Sequence, residues 1–153
     1  MKAETRAQIE SLFERYPQKR GALLPAIYLV QEEQGHVDAE GARELAQLFE
    51  IEPVAVWEVL SFYNMFYTEP QGRHHVYVCT NLPCSLRGAR TLLKGLEAHL
   101  GLHGGGTTKD GRVTIGHEEC LGSCGTAPMM RVDGQYHENL DLAAARRIVD
   151  ELE

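Results

Sequence analysis

The sequence predicts an α+β protein in two parts: a small bundle of helices, then an α/β domain built on a mixed sheet. Three observations predict it. Residues 1–70 hold four short stretches with apolar residues at helical spacing and no strand alternation. Residues 71–153 alternate between strand and helix signals and close on a hairpin followed by a helix. Between the two, "TEPQGRHH" (residues 68–75) interrupts both patterns with Pro70 and Gly72. The expected domains are therefore 1–70 and 71–153.

In the first part Ile9, Leu12, Phe13 and Tyr16 share one helical face, and Pro17 ends the pattern. Leu23, Leu24, Ile27 and Leu29/Val30 form a second stripe, stopped by Gly35. Asp38 is an N-cap for a third helix carrying Leu45, Leu48 and Phe49. Pro53 suits the first turn of a fourth, "PVAVWEVLSFY". Four short helices with short joints make an antiparallel bundle. Trp57, Phe62, Tyr63, Met65, Phe66 and Tyr67 are expected to pack within it, a face toward a partner being the second reading.

In the second part "HVYVC" is a short strand ending at Cys79. Leu86, Ala89, Leu92, Leu93, Leu96 and Leu100 fall on one helical period over 85–100. "GLHGGGTTKDG" reads as loop and "RVTIG" as strand. "PMMRV" and "QYHE" flank Asp133-Gly134, a strong hairpin signal. Asp141 opens a last helix with Leu142, Ala145, Ile148, Val149 and Leu152 inward. Strand, helix, strand implies a parallel pair with a crossover, and the hairpin adds antiparallel strands. That order suits a thioredoxin-like mixed sheet.

Composition narrows the function. The chain of 153 residues is 43% hydrophobic and 24% charged, in the range of globular proteins. A formal net charge of -7 argues against nucleic acid or an anionic membrane surface as partner. The longest apolar run, Leu23 to Val30, contains Pro25 and falls far short of the roughly 20 residues that span a bilayer. "MKAETRAQIE" has no apolar signal segment, so a soluble chain in a cytoplasmic, reducing compartment is expected. There, clustered cysteines serve metals or redox chemistry more often than structural disulfides.

The four cysteines are Cys79, Cys84, Cys120 and Cys124: C-x4-C, a gap of 35 residues, then C-x3-C. Each pair follows a predicted strand, so both loops emerge at one end of a parallel sheet, where α/β sheets bind ligands. Zinc accepts ligands at such spacings. A binuclear iron–sulfur cluster also takes four thiolates. The surroundings favour the cluster, because an anionic cluster wants main-chain N–H groups aimed at its sulfurs. Cys84 lies at a predicted helix start, and Gly88, Gly122 and Gly125 allow close main-chain approach. Pro83, Ala127 and Pro128 make the shell apolar and rigid, and thioredoxin-like folds often carry a cis proline where Pro128 stands. A thiol–disulfide enzyme wants C-x-x-C, which C-x4-C does not supply. His117, three residues before Cys120, is a spare candidate once four cysteines complete a set. His74 and His75 read as surface or interface residues, and Met129 and Met130 as strand residues with at least one buried.

"HVYVCTNLPCSLRGA", "EECLGSCGTAPMMRVDGQYHENL" and the aromatic "SFYNMF" together resemble the NuoE-type, thioredoxin-like [2Fe–2S] subunit of respiratory complex I, NADH:quinone oxidoreductase. The resemblance covers nearly the whole chain and implies that Cys79, Cys84, Cys120 and Cys124 hold one [2Fe–2S] cluster. It implies electron transfer in the NADH dehydrogenase module: NADH reduces an FMN held on a larger neighbouring subunit, and the cluster exchanges single electrons with that flavin. It further implies other peripheral-arm subunits as partners, no catalytic residue on this chain, and a place on the cytoplasmic side of a membrane-attached complex. The sequence has no G-x-G-x-x-G or phosphate loop, and "HGGGTT" follows a helix, so no nicotinamide or flavin site is expected here. Related subunits of NAD-linked hydrogenases or formate dehydrogenases, and a zinc-stabilised interaction module, are the alternatives.

Overall fold

The computed structural model describes residues 1–153. The chain divides into two compact units, Met1–Pro70 and Gln71–Glu153. The first is all helical: α1 (Ala3–Leu12), α2 (Leu23–Gln34), α3 (Ala39–Phe49) and α4 (Pro53–Phe62), with 3-10 turns at Phe13–Arg15 and Lys19–Ala22. The stop and start signals act as read. Gly35 closes α2 with φ 80°, and Asp38 accepts from the main-chain N–H groups of Glu40 and Gly41 at the head of α3. Pro53 opens α4. Ile9, Ile27, Val30, Leu45, Phe49 and Val56 are buried together, each removing from water an apolar side chain worth about 1.5–3 kcal/mol. Phe13 meets Phe49 edge-on, with centroids 5.0 Å apart.

The aromatic stretch departs from expectation. Phe66 is buried and Trp57 and Tyr63 are half-buried, but Phe62 is 78% exposed and Met65 is also exposed. The reason is helical phase. Val56 and Leu60 set the inward face of α4, and Phe62, two residues past Leu60, points away from it. Gln31 pins the segment that follows: its side chain donates to the Met65 carbonyl (3.0 Å) and accepts from the Tyr67 N–H (2.7 Å). Tyr16, expected on the α1 stripe, is also exposed, because α1 tightens into a 3-10 turn after Leu12 and shifts the register.

The second unit is a five-stranded mixed sheet in the order β2-β3-β1-β4-β5. Its strands are β1 (His74–Cys79), β2 (Gly106–Thr107), β3 (Val113–Glu118), β4 (Met130–Val132) and β5 (Gln135–His137). β1 and β3 run parallel in a register that sets Cys79 beside Glu118; every other pairing is antiparallel. Helices α5 (Leu82–Leu86), α6 (Ala89–His99) and α7 (Leu142–Asp150) complete it. Leu92 and Leu96 of α6 and Ala145 and Val149 of α7 pack with Val76, Val78, Ile115 and Met130 of the sheet. This is the thioredoxin-like α+β architecture expected.

Three local features differ from the sequence reading. The helix expected over 85–100 is two helices, broken at Gly88, whose φ of 90° is open to glycine and costly for other residues. Leu86, expected inward, is 79% exposed as a result. The glycine-rich loop contains the two-residue strand β2, which exists by pairing with β3 and not by propensity. Both Met129 and Met130 are fully buried.

His74, read as a surface or interface residue, is half-buried and ties three places together. Its Nδ1 bonds Asp133 Oδ2 (2.6 Å) in the β4–β5 turn, and its Nε2 bonds the Glu153 main-chain carbonyl (2.7 Å). These bonds, that to Asp133 first, hold His74 above its ordinary pKa. Burial pushes the Asp133 carboxyl up, but bonds from His74 and the His75 N–H outweigh it and leave Asp133 below the usual carboxylate range. A raised histidine stabilises the fold below its unfolded pKa and loses that as pH rises through its folded one. A depressed carboxylate stabilises above its unfolded pKa and loses that as pH falls. The pair therefore contributes fully between about pH 4 and 6.5. Thermal midpoints of wild type and His74→Gln should differ most between about pH 4 and 6.5, and the difference should narrow as pH rises above that window. A pH-independent difference would show that the pair does not titrate with folding.

Candidate metal centre

The fold delivers the two cysteine pairs to one end of the sheet. Cys79 is the last residue of β1, and the next main-chain N–H, of Thr80, bonds the Glu118 carbonyl at the end of β3 (3.0 Å). The chain then turns into α5. Asn81 caps it by accepting from the Leu82 N–H (2.8 Å), and Ser85 Oγ reaches back to the Thr80 carbonyl (2.7 Å). The turn at Thr80–Asn81 and the first residues of α5 bring Cys84 back to Cys79. Cys79 and Cys84 are 2% and 1% exposed, and their thiols hydrogen-bond to each other.

The second pair sits on the segment after β3. Cys120 and Cys124 are exposed, and Cys124 begins a 3-10 turn, Cys124–Thr126. Leu121 between them packs against the core. The Ala127–Pro128 bond is cis and leads into Met129 and β4.

Burial is the main cause that pushes the Cys84 thiol up, to about 11; the bond to Cys79 adds to it, as do the charges of Cys79 and Cys124. The Met129 main-chain N–H opposes this by hydrogen bonding to the sulfur. Cys84 thus feels both Cys79 and Cys124. No three His, Cys, Asp or Glu side chains are drawn together as a closed metal-binding group. The donors are soft thiols, with no carboxylate or imidazole among them, and a main-chain N–H already points at one sulfur. This chemistry fits an iron–sulfur cluster, whose binding replaces the thiol protons with iron.

The Met129 N–H donates to the Cys84 sulfur, a donor for which the sequence holds no signal, and the Gly88 N–H bonds the Ser85 carbonyl (3.1 Å). His117 points toward Glu119, Nε2 to Oε1 3.8 Å, and is mostly exposed. Two further features carry no sequence signal. Leu82 and Leu86 stand exposed on the side of α5 turned away from Cys84, one helical turn apart. A cleft of about 440 Å³, bordered by Thr80, Arg90, Lys94, Gly105, His117 and Glu119, lies beside the roots of both cysteine segments.

A thioredoxin-like sheet with paired thiols at the ends of its parallel strands defines a class of small thiolate-bearing domains. The chain belongs to the thioredoxin-like [2Fe–2S] ferredoxin family, whose profile matches residues 9–153. It is similar to an NADH-quinone oxidoreductase subunit of Rhizobium meliloti (strain 1021), with 45% identity over 138 residues, 90% of this chain and 82% of that one. It is 35% identical to an NADH-quinone oxidoreductase subunit of Rickettsia typhi over 147 residues, 93% of this chain and 85% of that protein. Among solved structures, an NAD+-reducing [NiFe]-hydrogenase in the air-oxidised state aligns with a TM-score of 0.72 at 25% identity. The alignment covers 85% of this chain and 22% of the hydrogenase chain, so this protein spans about a fifth of that one. No helix is long and apolar enough to cross a membrane.

Proposed function

We propose that this chain is the electron-transfer subunit of the NADH dehydrogenase module of an NADH:quinone oxidoreductase. It carries one [2Fe–2S] cluster on Cys79, Cys84, Cys120 and Cys124. The observation that carries the reading is the buried Cys79–Cys84 pair at the end of β1, with Cys124 close enough for Cys84 to feel its charge, in a chain of this family. When bound, the cluster supplies one-electron exchange. The chain's own part is to hold the thiolates, shield two of them from water and direct the Met129 N–H at Cys84. FMN and NADH belong to a larger partner subunit, on the cytoplasmic side of a membrane-attached complex. Iron and acid-labile sulfide analysis, with EPR after dithionite reduction, tests this. A reconstituted chain that holds only zinc and stays EPR-silent would sink it.

A second reading places the chain's role in an NAD-linked hydrogenase, favoured by the structural match to such an enzyme. Co-purification of the chain with its native partners separates the two.

The exposed Phe62 and Met65, in a unit with its own core, support a docking role for the helices. A chain lacking residues 1–70 should still take up the cluster and bind the flavin subunit about tenfold or more weaker, as expected from the loss of an exposed aromatic anchor. Full-affinity binding by the truncated chain, measured by calorimetry, would rule out that role.

A further inference from the structure

At the far end of the segment bearing the exposed cysteines, one side chain adds to the main-chain bonds that hold the turn, among them Thr126 N–H to the Ser123 carbonyl (3.2 Å). Ser123 Oγ and Thr126 Oγ1 both donate to Glu138 Oε1, the latter at 2.6 Å, and the two hydroxyls lie 2.7 Å apart. These residues stand on either side of Cys124. Glu138 follows β5, and its neighbours run along the same segment: the Asn139 N–H bonds the Thr126 carbonyl (2.7 Å) and the Leu140 N–H the Pro128 carbonyl (2.9 Å). Glu138 is exposed, belongs to no ion pair and has its only side-chain bonds to this turn. The two hydroxyl donors also hold its carboxyl below the ordinary range. Cys79 and Cys84 are out of reach of solvent, so ligand exchange must begin on the side of Cys120 and Cys124.

We propose that Glu138 is a positioning residue for Cys124: it latches the Ser123–Thr126 turn and thereby governs how fast the exposed cysteine pair takes up and releases iron and sulfide. The proposal rests on the cluster reading above. Loss of the latch lets the turn sample positions in which Cys124 is off the iron, where a chelator or a water can enter. Glutamine keeps a carbonyl oxygen that can accept both hydroxyls, whereas alanine keeps nothing.

The test uses the full chain as wild type, Glu138→Ala and Glu138→Gln. In the loaded proteins, bleaching of the visible absorption by excess EDTA should be about fivefold faster for alanine, the size of one ordinary net hydrogen bond, because water replaces most of what an exposed acceptor supplies. Glutamine should stay near wild type, and the thermal midpoint of the alanine variant should fall by no more than about 8 °C, the most that a fivefold effect accounts for. In the cluster-free proteins, iodoacetamide should label Cys124 faster in the alanine variant, with Cys79 and Cys84 unchanged. Wild-type bleaching by Glu138→Ala, glutamine behaving as alanine, or a fall in thermal midpoint well beyond about 8 °C would each overturn the latch. A wild type that takes up no cluster would sink the cluster reading instead, and the alkylation rates would still decide the latch.

Discussion

Cys84→Ala is expected to leave reconstitution without the visible absorption or the EPR signal of the wild type. One iron loses a thiolate, and the position it loses is closed to any substitute, since Cys84 is 1% exposed and lies under Cys79. The fold should survive. Removing one sulfur from a core of this size costs about 1–2 kcal/mol, less than the usual stability of a small domain. Far-UV circular dichroism should therefore match wild type while the cluster is absent. Cys124→Ala should also lose or strongly destabilise the cluster, with one difference. Its position is exposed, so millimolar small thiol in the buffer can occupy it and restore part of the absorption. Added thiol should do nothing for Cys84→Ala. Full, unchanged signals in Cys84→Ala would show that the ligand set is wrong. Equal rescue of both variants would show that the buried pair is not closed to solvent in the loaded protein.

Much of this is legible in the sequence, and the reasons are local. Asp38, Pro53 and Asp141 mark helix starts because capping and fixed φ act within a few residues. Asp133 and Gly134 take φ of 47° and 87°, the turn their dipeptide announces. The two cysteine pairs are brought to one sheet end because a strand precedes each. What the sequence hides depends on distant partners or on phase. The break at Gly88 is masked because Leu86 continues the apolar period of α6 by coincidence. β2 has no propensity of its own and is made by β3. Phe62 has the composition of a core residue and the wrong angle around α4. The donor to sulfur, Met129, just before β4, and the latch, Glu138, just after β5, are brought beside the cysteines only by the folded topology. A ligand set is written in residue types; the groups that orient it are written in the fold.

Gly72 shows the same division, and its replacement should have the largest effect on stability. The sequence presents it as punctuation next to Pro70. In the fold it is buried, its N–H donates to Thr114 Oγ1 (2.7 Å), and that hydroxyl also bonds Thr107 on β2 (2.8 Å). A Cβ at Gly72 would lie 2.8 Å from the Thr114 nitrogen and 2.8 Å from the Val113 carbonyl carbon. Those are main-chain atoms, with no rotamer to yield. They begin β3 where it pairs with His74 and His75 of β1, so relief means shearing the central parallel pair or parting the Thr107–Thr114–Gly72 bonds. Gly72→Ala should therefore cost about 2–3 kcal/mol. At about 4–8 °C per kcal/mol for a domain of this size, the thermal midpoint of the sheet unit should fall by about 10–20 °C. Gly125→Ala is the control: nothing lies within 4 Å of its Cβ position and its φ is not positive, so its stability should stay within about 0.5 kcal/mol of wild type. The clash is steric and main-chain, so the loss should be equal in apo and loaded protein, whereas a loss seen only in the loaded chain would mean that Gly72 acts through the metal centre and not through the sheet. A Gly72→Ala midpoint within about 2 °C of wild type would mean that β1 and β3 can slide to make room, and that the sheet end presenting Cys79 is softer than its register implies.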